Sequence, residues 1–173
     1  MTVADLLTDA FGRIHHTVHG AVDGLTPGQL AFRPDSGANS IAWLVWHLTR
    51  IQDDHIADVA STGQVWTAGA SGSTWADRFG LPFAASATGY GHGSEAVAAV
   101  QVESGEMLTG YYDAVHEETL RYVQGLRDAD LDRVVDKAWD PPVTLGVRLV
   151  SVINDDLQHA GQAAYLRGMI ERG

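Results

Sequence analysis

The sequence predicts an all-α fold: a four-helix bundle with a long connection between its second and third helices, forming one domain over residues 1–173. Three observations lead there. Four long segments repeat apolar residues at the helical period. No segment shows the convincing apolar/polar alternation of a half-buried strand. The stretches between them are rich in Gly, Pro, Asp and Ser, residues that end helices. With 173 residues and 45% hydrophobic composition, the chain has enough apolar mass for one sizeable core.

The first segment covers residues 2–22 and sets Val3, Leu6, Leu7, Phe11, Ile14 and Val18 near one stripe. "DGLTPGQLAFRPDSGAN" is dense in breakers and turns the chain. Asn39 and Ser40 are both candidate N-caps for the second helix, "SIAWLVWHLTRIQDDHIADVA", whose dense side carries Trp43, Leu44, Trp46 and His47. Residues 61–93 form a long glycine-rich connection of the kind that often serves as a wall or lid. Its Trp66, Trp75, Phe79, Phe83 and Tyr90 are expected to pack back on the body, with a short helix over residues 74–79. Ser94 is expected to cap a third helix reaching about residue 126, with Val97, Val100, Leu108, Tyr111 and Val115 on its apolar stripe. "DADLDRVVDKAWDPPVTLG" then interrupts, and Asp140-Pro141-Pro142 is a firm breaker. The last helix spans residues 146–169. These connection lengths leave the running directions of the helices open.

The chain carries 22 acidic residues against 11 Lys plus Arg, a formal charge of -11. Such a surface repels phosphate backbones and anionic membranes, so neither nucleic acid nor membrane is an expected partner. With no cysteine, a disulfide, a cysteine nucleophile and a thiolate metal site are excluded. "MTVADLLTDAFGRIHH" lacks the basic-then-apolar pattern of a signal peptide, and no run approaches the roughly 20 apolar residues of a membrane span. A cytoplasmic protein is expected. "GYGHGS", over residues 89–94, precedes a helix but has neither the Lys-Ser/Thr ending nor the spacing of a nucleotide loop.

One stretch of the last helix, "NDDLQHAGQ" over residues 154–162, is oddly polar. Residues four apart on a helix share a face, so Asp155 and His159 point the same way, and Leu149, Val152, Ala163 and Leu166 lie near that face. Asp156 falls about 100° away and is expected off it. Gly161 is expected to permit close packing and Gln162 to line a cavity. A buried carboxylate without a partner is costly, and carboxylate plus imidazole is a common ligand pair for zinc, iron, nickel or manganese. His47, a histidine in an apolar run, is the candidate third ligand from another helix. The competing reading is that these are unrelated polar positions, with Asp155 and His159 an ordinary surface ion pair. Among the eight histidines, His15, His16 and His19 form a cluster on the first helix, read mainly as surface or packing residues, with a metal role as the alternative. His55 either lines the same cavity as His47 or solvates the helix end. His92 and His116 read as solvated.

These residues resemble the DinB-like superfamily, including its DUF664 and mycothiol-dependent branches. "NSIAWLVWHLTRIQDDHI" is similar to the second family helix, where a Trp-rich run ends in a ligand histidine followed by Leu. "INDDLQHAGQAAYLRGMI" is similar to the fourth, with His159, Gly161, Gln162, Leu166 and Arg167 matching the pattern. Many members have histidine at the position held here by Asp155, and the mycothiol-dependent maleylpyruvate isomerases have glutamate, so Asp155 keeps the charge with a shorter reach. The resemblance implies a metal site at His47, Asp155 and His159, most often holding zinc or nickel. It also implies chemistry on a low-molecular-weight thiol such as mycothiol or, in some members, amide hydrolysis. The isomerase branch carries an additional C-terminal domain, whereas this chain ends at Gly173, so isomerisation itself is not the expected reaction.

Three functions follow. The first is a metal-dependent transferase joining a thiol cosubstrate to a small electrophile, with Asp54 and His55 moving the thiol proton. The second is a metal-dependent hydrolase of an amide or ester. The third is a non-enzymatic metal-binding or stress-associated helical module. A small-molecule substrate is expected for the first two, and a homodimer is compatible with all three.

Overall fold

The structure is a computed structural model that describes residues 1–69 and 72–172. Four long helices dominate: α1 (Val3–Val22), α3 (Ile41–Ala60), α6 (Gly105–Val123) and α7 (Leu145–Ile170). Shorter helices α2 (Pro27–Leu30), α4 (Trp75–Phe79) and α5 (Ser94–Ala99) lie in the connections. A two-stranded antiparallel ladder, β1 (Val134–Asp136) with β2 (Val143–Thr144), precedes α7. Alternation over strands this short is too brief to stand out in a sequence.

Hydroxyl caps set the starts of α1, α2, α3, α4 and α7. Thr2 and Asp5 form a capping box on α1, with Asp5 N donating to Thr2 Oγ1 at 3.1 Å and Thr2 N to Asp5 Oδ2 at 2.8 Å. Of the two candidate caps for α3, Ser40 serves: its Oγ accepts from Trp43 N at 3.1 Å. The short helix in the long connection forms as expected, capped by Thr74.

The expected third helix is in fact two. Val100 and Val102 are both buried, yet positions two apart on a helix point in nearly opposite directions. The chain satisfies both by running extended at Val100 before α6 begins at Gly105. Gly105 itself presses on α1, since a Cβ there would sit 2.8 Å from Val22 Cγ1. Ser94 is the first residue of α5 rather than its cap, and its Oγ instead donates to the Ser36 carbonyl at 2.5 Å. On α1 the stripe holds except at Leu6, which is 56% exposed.

In cross-section α1 packs on α6 and α7, and α3 packs on the same two, so α1/α3 and α6/α7 lie across diagonals. Side-chain pairings give the directions. His47 meets His159 and His55 meets Arg148, so α3 and α7 are antiparallel. Arg50 meets Tyr111 while Val59 meets Tyr122, so α3 and α6 are parallel. Two neighbours in sequence that run parallel need a connection the length of the bundle, which is why the 61–104 segment is long.

That connection is tied down by a buried polar network. Arg50 is fully buried. Its guanidinium donates to Gln64 Oε1 at 3.0 Å and the Ala87 carbonyl at 3.2 Å, and lies 3.5 Å from Asp53 Oδ2. Asp53 in turn accepts from Val65 N at 2.9 Å, Trp66 N at 2.8 Å and the Tyr111 hydroxyl at 2.8 Å. The two charged groups that α3 buries here, Arg50 and Asp53, thus find their partners in the loop and on α6.

Candidate metal centre

The loop so anchored closes over His47. Its Nδ1–H donates to the Thr88 carbonyl at 2.5 Å. Trp43 stacks on the ring at 4.6 Å and 16°. Gly89 has φ +94°, and a Cβ there would stand 2.7 Å from His47 Nδ1 and 3.0 Å from Trp46, so only glycine lets the backbone pass. On the facing helix, His159 Nδ1–H donates to the Asp155 carbonyl at 2.8 Å, with Asp155 Oδ2 3.3 Å away. Both rings thus spend Nδ1 on a carbonyl and keep Nε2 as the free base, the tautomer that a metal-ligating histidine needs.

His47, Asp155 and His159 each offer a ligand atom, and these atoms lie within 4.8 Å of one another. The two imidazoles meet edge to face at 4.7 Å. Asp155 Oδ2 is buried and has no hydrogen-bond partner. Two imidazoles and a carboxylate with a buried oxygen, whose ligand atoms converge, are a donor set that a divalent cation completes, so the residues fit such an ion. Burial holds His47 below the ordinary histidine value, against the pull of its bond to Thr88. Burial works the same way on His159, but its hydrogen bonds to Asp155 and that carboxylate's charge raise it.

Asp156 points away from this triad, as expected, but into the core rather than outward. It is fully buried, and neither carboxylate oxygen has a partner. Burial, then the charge of Asp155, pushes its carboxyl well above the usual range. Helix α7 packs on both α1 and α3, so its buried arc is wide enough to take two adjacent carboxyls. Gly161 does not mediate close packing: a Cβ there would meet nothing within 4 Å. It and Gln162 line an open groove with Leu44, Gln158 and Tyr165.

Asp54 and His55 are not in the triad. They line a neighbouring polar cleft with Gln64, Asp136 and Arg148. Asp54 Oδ1 accepts from Gln64 at 2.7 Å, and His55 Nδ1 accepts from Arg148 Nη1 at 3.2 Å. Burial, then Arg148, lowers the His55 pKa.

Sequence reasoning missed three contributors to the site: His92, Thr88 and the Arg50–Asp53 anchor. His92 is not simply solvated. It accepts from Trp43 Nε1 at 3.3 Å and stacks on Trp46 at 5.8 Å. The signal available for it was the aromatic density of the loop.

A family model described as the DinB superfamily matches residues 10–163. Among solved structures, a conserved protein from Enterococcus faecalis superposes with a TM-score of 0.90 at 29% identity, covering 100% of this chain and 99% of that one. No curated protein matches the chain. Among the described residues no helix is long and apolar enough to cross a membrane.

Proposed function

The chain belongs to the DinB superfamily, and on that premise we propose that it is a divalent-metal-dependent enzyme joining a low-molecular-weight thiol, such as mycothiol, to a small electrophile. The observation that carries the reading is the triad of His47, Asp155 and His159, whose three ligand atoms lie within 4.8 Å of one another while each imidazole Nδ1 is engaged by a backbone carbonyl. Three protein donors leave coordination positions for a reactant, as in catalytic rather than structural sites. Zinc suits this N₂O set, with nickel, iron(II) and manganese(II) as the alternatives. When bound, the ion supplies Lewis acidity that favours the anionic form of a thiol beside it.

The chain's own residues do the rest. Thr88 and Asp155 orient the two imidazoles, and Trp43 with the 88–92 segment shields His47 from water. His55, whose pKa burial and Arg148 lower, takes the thiol proton at Nδ1 as Arg148 gives way. The Asp54 carboxylate, 3.7 Å from that nitrogen, stabilises the imidazolium until it returns the proton to the product alkoxide or to water. The sulfur–carbon bond forms as a halide departs or an epoxide C–O bond opens. The groove beside Leu44 and Gln158, one turn before His47 and next to His159 respectively, holds the body of the substrate. The proposal sets the reaction in the cytoplasm, where such thiols are kept reduced. It includes a homodimer through the exposed Val147 and Val150 of α7, which sedimentation checks.

The test is turnover of an alkyl halide and an epoxide with zinc-loaded protein, with and without mycothiol. Thiol-dependent product that disappears in His47→Ala supports the proposal. Turnover of amides or esters without thiol would replace it with hydrolysis, and inactivity with every pair would return the protein to a non-enzymatic metal-binding role.

A further inference from the structure

A second cluster of ligating side chains lies on the opposite edge of the bundle, where α1 packs on α6. His15 and His19, one turn apart on α1, both aim Nε2 at the same oxygen of Asp113 on α6. The distances are 2.9 and 2.7 Å. The three ligand atoms again fall within 4.8 Å of one another. His16, which the sequence groups with these two, points to solvent.

We propose that His15, His19 and Asp113 form a second divalent-cation site that clamps α1 to α6, separate from the triad between α3 and α7. Two imidazoles sharing one carboxylate oxygen do so through two protons, and a single cation can replace both. Ligands of one tetrahedral zinc-sized ion stand roughly 3.4 Å apart when each bond is about 2.1 Å, so a shift of roughly half an ångström separates the hydrogen-bonded contacts from the metal-bound spacing. The rings are already restrained. His15 lies 4.6 Å from the ring of His116 and 5.9 Å from that of Tyr112, and the His15 and His19 centroids are 4.4 Å apart. Asp23 brings a carboxylate to 3.9 Å from His19 Nδ1, the outer partner that commonly orients a ligating imidazole.

Partial exposure leaves the site open to solution ions: the side chains of His15, His19 and Asp113 are 36%, 29% and 47% exposed. The donor set selects borderline cations such as zinc, nickel, cobalt or copper over magnesium and calcium, which prefer all-oxygen shells. A cation there would cross-link residues 94 to 98 positions apart in the chain, so occupancy should raise thermal stability as well as consume metal.

The experiment uses the untagged full chain and two double variants. One disables the triad (Asp155→Ala with His159→Ala). The other disables the cluster (His19→Gln with Asp113→Asn). Each is dialysed against zinc and analysed for metal content. The expected result is that the triad-disabled chain still holds one zinc, and that its melting temperature rises with zinc concentration. Adding His19→Gln and Asp113→Asn to it should remove both effects, while circular dichroism shows the helices intact. His15→Gln alone, placed in the triad-disabled chain, repeats the test with a milder change. A triad-disabled chain that binds no zinc, or one whose zinc survives loss of His19 and Asp113, would overturn the site. Neither result bears on the thiol reaction assigned to the other edge.

Discussion

Gly89→Ala is the sharpest single perturbation of the loop that closes over His47. The added Cβ would stand 2.7 Å from His47 Nδ1 and 3.0 Å from Trp46 Cζ3, well inside the roughly 3.5–4.0 Å of a favourable packed contact. Alanine also strains a backbone at φ +94°, a cost of roughly 1–3 kcal/mol. Relief requires the 88–90 segment to lift, which breaks the bond from His47 to Thr88 and leaves a buried N–H unpaired at roughly 1–3 kcal/mol. With its orienting partner gone, His47 should bind metal roughly 10–100-fold more weakly. Gly24→Ala is the matched control: φ is +76°, but its Cβ would meet nothing within 4 Å, so it carries backbone strain without touching the site. The assay is zinc competition against a chromophoric chelator, in the cluster-disabled background so that one site is read. If Gly89→Ala and Gly24→Ala bind zinc equally, the loop does not orient His47 and the reasoning fails.

Other outcomes follow from the same contacts. Arg50→Ala strands Asp53 in the core and should cost about 3–5 kcal/mol in urea unfolding. Tyr111→Phe, which removes one donor to Asp53, should cost about 1.5–3 kcal/mol; equal effects would mean that the network does not centre on Arg50. Limited proteolysis within residues 61–93 should accelerate in Arg50→Ala before global unfolding. Protonated imidazole cannot ligate, so zinc affinity should fall as pH drops through the raised value of His159, whereas the depressed His47 competes only in more acidic solution. Calorimetry in buffers of different ionisation enthalpy should therefore show more proton release at about pH 6 than at about pH 8, and equal release would contradict the pairing of His159 with Asp155.

The helices were legible because their signals are local. Apolar spacing marked α1, α3 and α7, and a hydroxyl residue marked the start of α3. The same logic singled out His47, Asp155 and His159, whose ligand atoms the fold brings within 4.8 Å of one another, since a histidine in a Trp-rich stripe and a polar pair on an apolar face each stand out within one helix. What escaped depends on partners distant in sequence. Arg50 and Asp53 carry no signal of burial within α3 itself, because only residues 64–66, 85–87 and 111 turn that stretch into core. Asp113 looked like one more acidic residue on α6, and its meeting with His15 and His19 requires knowing that α1 packs there. The break between α5 and α6 was masked by the helix-like composition around Val100 and Val102. That Asp156 is off the triad's face yet fully buried was not legible, because one helix face was assumed to be buried, whereas α7 buries two.

A crystal of the full chain grown with zinc, with anomalous data collected across the zinc edge, tests the central claim most directly. The account predicts a peak bonded at about 2.0–2.2 Å to His47 Nε2, His159 Nε2 and an Asp155 carboxylate oxygen, with Asp156 outside the coordination sphere. No peak between α3 and α7 at saturating zinc, or one ligated by Asp156 in place of Asp155, would contradict it.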